Sequence, residues 1–274
     1  MGLGIVECGT VIRVPPRLLA ITIGNSSIGI GVFENAALAA RWRAHTDADK
    51  TADEYAILLG DFFANGEAGL APAPQFHGAI IVSVVPPLKS TFQELCRNTF
   101  QIEPLVVGNG VKTGMPIHYD DPRTLGADRL VEAVAAKEKY GAPVIVIDFG
   151  TATTFNAVNR AGEFAGGAIA PGLNLAADAL YQATAQLPRV DLALPPYAIA
   201  TNTIHAIQSG IVYGYLAMIE GMITRMRAEL GEPHARVIAT GGRAALIAPH
   251  TRVIDVVDAD LMLEGLRVIY GMNV

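Results

Sequence analysis

Leu18 to Phe33 reads LLAITIGNSSIGIGVF, and Val144 to Val158 reads VIVIDFGTATTFNAV. Each stretch is a β-rich run, a Gly, small hydroxyl residues and a second β-rich run, the pattern of a hairpin closed by a tight turn. Aligning Gly24 with Gly150 sets Thr22 opposite Asp148. Both copies continue through a further turn into a third strand-like run. Glu34-Asn35 precedes Ala36 to Arg43, and Asn159 to Gly162 precedes Glu163 to Ala170. A three-strand meander present twice predicts two similar lobes.

The segments between and after the copies alternate helix and strand. Asp53 to Ala64 is helical in pattern, Gly78 to Val85 is a buried strand, and Leu88 to Phe100 carries apolar residues at helical spacing. After the second copy, Leu175 to Ala185 and Ile204 to Leu230 read as helices, the latter stopped by Gly231. Ala235 to Thr240 is a strand running into Gly241-Gly242. The expected division is an extension over residues 1–17, a first lobe over 18–120 and a second over 121–274. No low-complexity linker separates the lobes, so they are expected to share a cleft.

At 274 residues and 51% hydrophobic content the chain has ample apolar material for a core. A formal charge of −6 argues against nucleic acid as the main partner, because phosphate neutralisation needs clustered Lys and Arg that no stretch supplies. Cys8 and Cys96 are far apart and without a second pair, so no disulfide framework or cysteine zinc site is expected, which fits a reducing cytoplasm. Apolar runs such as Ala79 to Val85 are strand-sized, so no membrane-crossing segment is expected. Residues 1–17 hold Arg13, Pro15, Pro16 and Arg17 and lack the apolar core of a signal peptide.

Three glycine turns carry the first candidate chemistry. Gly24-Asn25-Ser26-Ser27, Gly150-Thr151-Ala152-Thr153-Thr154 and Thr240-Gly241-Gly242 would let backbone N–H groups and hydroxyls approach phosphate oxygens closely. Gly, Asn and Ser are also ordinary turn residues; as a set, after matching strands, these turns point to nucleotide contacts from both lobes. Neither a P-loop nor a Rossmann glycine signature is present.

Gly126-Ala127-Asp128-Arg129 opens a helix over Leu130 to Tyr140, closed by Gly141. Asp128 has two readings. It is either a first-turn acid that complements the helix dipole, worth ~0.3–1 kcal/mol, or a proton acceptor beside an arginine that grips a carboxylate. Asp148 ends the apolar run Val144 to Ile147, so its charge needs a cation, a donor or solvent at the strand tip. His205 receives no catalytic role, and Trp42 reads as a strand residue.

These residues resemble the type III pantothenate kinases from Leu18 onward. The resemblance runs through IIVSVVPPL (Ile80 to Leu88), IHYDDPRTLGADR (Ile117 to Arg129), VIDFGTATTF (Val146 to Phe155) and GGAIAPG (Gly166 to Gly172). It continues through Asn202-Thr203, QSGIVYGY (Gln208 to Tyr215), ATGG (Ala239 to Gly242) and IDVVDADLMLEGLRVIY (Ile254 to Tyr270). It implies an α/β fold of two similar ribonuclease-H-like lobes, the actin-like ATPase fold, around a nucleotide cleft. It also implies ATP-dependent phosphorylation of pantothenate, with magnesium and a monovalent cation, K+ or NH4+, in a cytoplasmic homodimer whose interface helps form the pantothenate site. Carried over by residue, Asp128 is the proton acceptor, Gly126, Ala127, Asp128, Arg129 and Thr203 meet pantothenate, and Tyr119 lines the same pocket. Asp148 is the monovalent-cation ligand and Thr151 the second phosphate contact. Thr22, Gly24, Asn25, Ser26, Ser27, Gly241 and Gly242 complete the expected nucleotide set.

One position departs from the family pattern. The first phosphate loop normally reads D-x-G-N-T, and here it is Thr22-Ile23-Gly24-Asn25-Ser26, with a hydroxyl where a carboxylate helps organise magnesium. The internal repeat marks the same position, since the other copy has Asp148. Two functions therefore stand side by side: a pantothenate kinase, and a weakly active or non-catalytic relative that binds nucleotide or pantothenate in a regulatory role.

Overall fold

A computed structural model describes residues 5–7, 10–12, 15–66 and 74–274. Cys8 and Arg13, singled out above, lie outside the described residues. Within the expected extension the backbone forms two short antiparallel strands, β1 (Ile5–Glu7) and β2 (Thr10–Ile12).

The first meander is β3 (Arg17–Ile23), β4 (Ser27–Glu34) and β5 (Ala37–His45). Between β4 and β5, Asn35 and Ala36 take φ of 48° and 74°, the left-handed pair whose twist matches flanking strands in a two-residue hairpin. α1 (Ala52–Asn65) opens on a capping box: Thr51 accepts the Glu54 N–H, and the Glu54 carboxylate accepts the Thr51 N–H at 2.8 Å. β6 (Gly78–Ser83) then runs parallel to β3. α2 (Pro86–Phe100) begins at the two prolines, which cost little where the first-turn amides lack intrahelical partners. β7 (Leu105–Val106) completes this sheet.

α3 (Ala127–Tyr140) precedes the second meander, β8 (Val144–Phe149), β9 (Ala152–Val158) and β10 (Phe164–Pro171). There follow α4 (Leu173–Gln182), α5 (Thr203–Leu230), β11 (Arg236–Thr240), α6 (Ala244–Ile247), β12 (Val256–Val257) and α7 (Leu261–Gly271). Gly231 takes φ 68° and caps α5, as its place in the sequence predicts.

The two five-stranded sheets have one topology, β5-β4-β3-β6-β7 and β10-β9-β8-β11-β12. In each, three antiparallel strands are extended by two that run parallel to the first. The doubled meander's two similar lobes are thus present, in the ribonuclease-H-like arrangement that the family resemblance implies.

One core joins Ile21, Ile30 and Ile81 of the first sheet to Tyr55, Leu59 and Phe63 of α1 and Phe92 and Leu95 of α2. The other joins Ile145, Ile147, Phe155 and Val237 of the second sheet to Val212, Leu216, Ile219 and Ile223 of α5. By length and composition alone α5 is apolar enough to cross a membrane, which a reading confined to uninterrupted apolar runs passes over. Its buried stripe is instead spent on the second sheet.

The units of packing are not contiguous in sequence. One comprises 1–115, 120–135 and 260–274, the other 116–119 and 136–259. This differs from the expected break at 120/121, and α7 gives the reason. It packs on β3, β4 and β6, with Leu263 filling the space above Gly31 and Gly265 so close to α3 that a Cβ would lie 2.4 Å from the Val131 carbonyl oxygen. A Cα-length approach of that kind selects glycine and returns the C-terminus to the first sheet.

Candidate active site

The first turn sits between β3 and β4 and is closed by the Gly24 N–H donating to the Ser27 carbonyl at 3.0 Å. Asn25 and Ser26 are exposed at its tip. Thr22, one pair below, accepts the Gly29 N–H on its hydroxyl at 3.2 Å across the β3–β4 pair. Glycine at 29 makes this possible, since a Cβ there would lie 2.6 Å from the Thr22 hydroxyl oxygen.

The second turn sits between β8 and β9 and is closed by the Gly150 N–H donating to the Ala152 carbonyl at 3.2 Å. Asp148 occupies the position equivalent to Thr22, paired with Thr154 on β9 and Thr240 on β11. Its carboxylate lies in a glycine cradle: Cβ atoms added at Gly241 and Gly150 would come within 2.1 and 3.1 Å of its oxygens. Gly241 takes φ 88°, which also favours glycine. Asp148, Gly150, Thr151 and Gly241 are thus brought together in one unit, with Gly242 exposed beside them.

Tyr215 of α5 bonds through its hydroxyl to the Thr153 hydroxyl beneath this turn. Burial first, and then the Asp148 charge, push the Tyr215 phenol up from its ordinary pKa. It stays a neutral hydrogen-bonding group at physiological pH.

At the start of α3, Asp128 Oδ1 accepts the N–H of the next residue, Arg129, at 2.9 Å. Gly126 gives it room, since a Cβ there would lie 2.5 Å from Oδ1. Arg129 is only 5% exposed, and Glu132, one turn on, is buried as well.

Tyr119 and Thr203 belong to the other unit. The Tyr119 ring meets Phe164 edge-on at 6.2 Å, in a segment held to β10 by His118 and Phe164 backbone bonds of 2.9 Å. Thr203 is exposed at the first position of α5, whose cap is Asn202 accepting the His205 N–H at 2.9 Å. It lines a cavity of about 640 Å³ with Leu180, Leu187, Asn202, Ile207 and Ile211. His205 makes its bonds to the cap, in keeping with the structural reading given to it.

Two residues escaped the sequence reading. Thr46, just past β5, donates its hydroxyl to the Gly24 carbonyl at 2.6 Å and its N–H to the Ser26 carbonyl at 3.3 Å. Gly172, just past β10, donates its N–H to the Thr151 carbonyl at 3.1 Å. The doubled meander held a signal for both: each follows the third strand of its copy.

Solved structures with this fold include one titled a putative Baf family transcriptional activator from Campylobacter jejuni, 18% identical with TM-score 0.58 over 93% of this chain and 98% of that one. An ethanolamine utilization protein, EutJ, from Carboxydothermus hydrogenoformans is 14% identical with TM-score 0.50 over 94% of this chain and 91% of its own. These likenesses show the class of fold, an α/β protein built on two five-stranded sheets. The sequence narrows it. The family model described as type III pantothenate kinase matches residues 18–225. Curated relatives of that name from Myxococcus xanthus and Geobacter sulfurreducens are 49% and 50% identical over 93% of this chain, covering 98% and 99% of their own lengths. The chain belongs to the type III pantothenate kinase family.

Proposed function

We propose that this chain transfers the γ-phosphoryl group of ATP to the hydroxyl of pantothenate, giving phosphopantothenate and ADP at the opening of coenzyme A synthesis. The observation that carries the reading is the Gly126-Ala127-Asp128-Arg129 segment: a carboxylate held at a helix start over a glycine, beside a buried guanidinium. A non-catalytic relative is not favoured, because that segment is intact and the relatives at about half identity bear the kinase name.

In the proposed reaction the pantothenate hydroxyl oxygen bonds to the γ-phosphorus as the bond to the β-phosphate oxygen breaks. Asp128 takes the hydroxyl proton, and Arg129 and Thr203 fix the acid, with Tyr119 lining the pocket. The turns at Gly24 and Gly150, with Thr22, Asn25, Ser26, Ser27, Thr151, Gly241 and Gly242, contribute nucleotide contacts. Phosphoryl transfer depends mainly on positioning and charge neutralisation, so the glycine-lined close approaches matter more than any single nucleophile.

Magnesium and a monovalent cation, K+ or NH4+, belong to the same proposal. Among the described residues no three His, Cys, Asp or Glu side chains converge. A cation at Asp148 would therefore complete its shell from carbonyl, phosphate and water oxygens, which suits hard cations. Such an ion supplies positive charge against the phosphates.

A homodimer is proposed from the second unit. Tyr197, Ile199 and Ile204 are 74%, 89% and 51% exposed, and they flank in sequence the Ala200 to Thr203 stretch that lines the cavity. Apolar side chains so placed favour a partner surface that also completes the pantothenate pocket. A cytoplasmic setting is proposed from Cys96, a buried free thiol that burial pushes up to about 12. The reaction is tested by following ADP release while pantothenate is titrated with magnesium and potassium present. Saturable release that requires pantothenate supports the proposal, and release indifferent to pantothenate removes it.

A further inference from the structure

We infer that Thr46 is a positioning residue for the first nucleotide turn, a strut that aims its amide N–H groups toward the phosphates. The inference rests on the proposal that this turn contacts ATP, and it adds how the turn is held in a binding shape.

The geometry follows from the peptide bond. In a trans peptide the C=O and the next N–H point in opposite directions. Thr46 ties down the Gly24 carbonyl through its hydroxyl and the Ser26 carbonyl through its N–H, at 2.6 and 3.3 Å. The N–H groups of the same two peptides, those of Asn25 and Ser27, are thereby turned away from Thr46 to the opposite side. Backbone N–H groups turned to one side of a turn offer donors to an anion. Gly24 spends its own N–H on Ser27 within the turn, so the closing bond sets the shape of the turn and Thr46 sets its direction.

The strut is itself anchored. Asp47 donates its N–H to the Tyr55 hydroxyl at 3.1 Å, and that hydroxyl donates to the Asp47 carbonyl at 2.8 Å. Tyr55 has no exposed surface and sits in the first core on α1. A fixed line therefore runs from the core through Tyr55, Asp47 and Thr46 to the turn.

The other unit repeats the arrangement with different chemistry. Gly172, at the corresponding place after β10, holds the Thr151 carbonyl by a 3.1 Å backbone bond and approaches so closely that a Cβ would lie 2.3 Å from that oxygen. The backbone half of the contact is thus common to both units, Thr46 N–H to the Ser26 carbonyl and Gly172 N–H to the Thr151 carbonyl, and the hydroxyl bond to the Gly24 carbonyl is added in the first.

The test measures ATP affinity by titration calorimetry, and the KM for ATP and for pantothenate, in Thr46→Val, Thr46→Ser, Tyr55→Phe and Asn25→Ala. Thr46→Val, which keeps shape and loses the hydroxyl, is expected to weaken ATP binding about 5- to 10-fold, the size of one hydrogen bond. Its pantothenate KM should stay within about twofold, Thr46→Ser should restore the parent, and Tyr55→Phe should move ATP in the same direction by less. Thr46→Ala and Tyr55→Phe decide the matter if the valine variant does not fold. If Asn25→Ala weakens ATP while the Thr46 and Tyr55 variants match the parent, the strut is overturned and the turn's role stands. An ATP affinity unchanged in Asn25→Ala and also in Asn25→Pro, which deletes one of the turn's N–H groups, removes the turn's role itself. Equal loss for both substrates, or no rescue by serine, reduces Thr46 to general stability and also overturns the inference.

Discussion

The turns at Gly24 and Gly150 hold the same place in the same five-strand topology, yet only the second has a carboxylate beneath it. Asp148 lies in a cradle of Gly150 and Gly241, whereas Thr22 turns its hydroxyl back onto the Gly29 N–H of its own sheet. The scaffold is symmetric and the charge is not. A repeated fold fixes where phosphate-facing groups stand, while individual side chains decide whether a cation is drawn there. In this chain the second unit sets a carboxylate beneath its turn, and the first offers amides and hydroxyls.

The largest expected effect sets the scale for both turns. Asp128→Asn keeps volume and removes the proton acceptor, so kcat should fall about 10²- to 10⁴-fold with ATP affinity preserved. Steady-state kinetics beside an ATP titration check it, and an unchanged kcat where chemistry limits the rate would remove Asp128 as base.

Next comes the asymmetry itself. Thr22→Asp should raise the magnesium-dependent rate, by up to about 10²-fold if chemistry is limiting, because it restores beside the phosphates the carboxylate that the repeat and the family pattern both place there. A high parental rate that falls in this variant would mean the site is organised around threonine. Asp148→Asn should do the reverse, lowering turnover about 10-fold or more and flattening its dependence on potassium. A potassium titration of the two variants side by side measures how far the turns differ.

The smallest effect separates their packing. Gly172→Ala forces a Cβ against the Thr151 carbonyl and should cost roughly 1–3 kcal/mol, read from denaturant midpoints. Gly24→Ala, whose Cβ would stand 3.3 Å from the Ser27 carbonyl, should cost less than about 1 kcal/mol. Equal losses would erase the distinction.

Much of this was legible in the sequence. The meanders declared themselves through apolar β-rich runs broken by glycine turns, and Gly24, Asp148 and the Gly126 to Arg129 segment fell where the residues alone place them. β7 and β12 were not legible, because Leu105–Val106 and Val256–Val257 are too short for a periodic signal. Nor was the return of α7 to the first sheet, which depends on the fit of Leu263 at Gly31, a contact far apart in the chain. Thr46 escaped because a threonine after a strand looks like any turn residue. Its meaning comes from a carbonyl some twenty residues away, at Gly24.

The central claim is phosphoryl transfer to pantothenate by a chain with threonine at position 22. It is tested most directly by incubating the unaltered protein with pantothenate, magnesium, potassium and ATP labelled in the γ-phosphoryl group, and following the label. The account predicts label in phosphopantothenate at one equivalent per ADP formed, at a rate about 10²- to 10⁴-fold lower with Asp128→Asn. Label that stays in ATP or appears only as inorganic phosphate, in protein that binds both substrates, would contradict it.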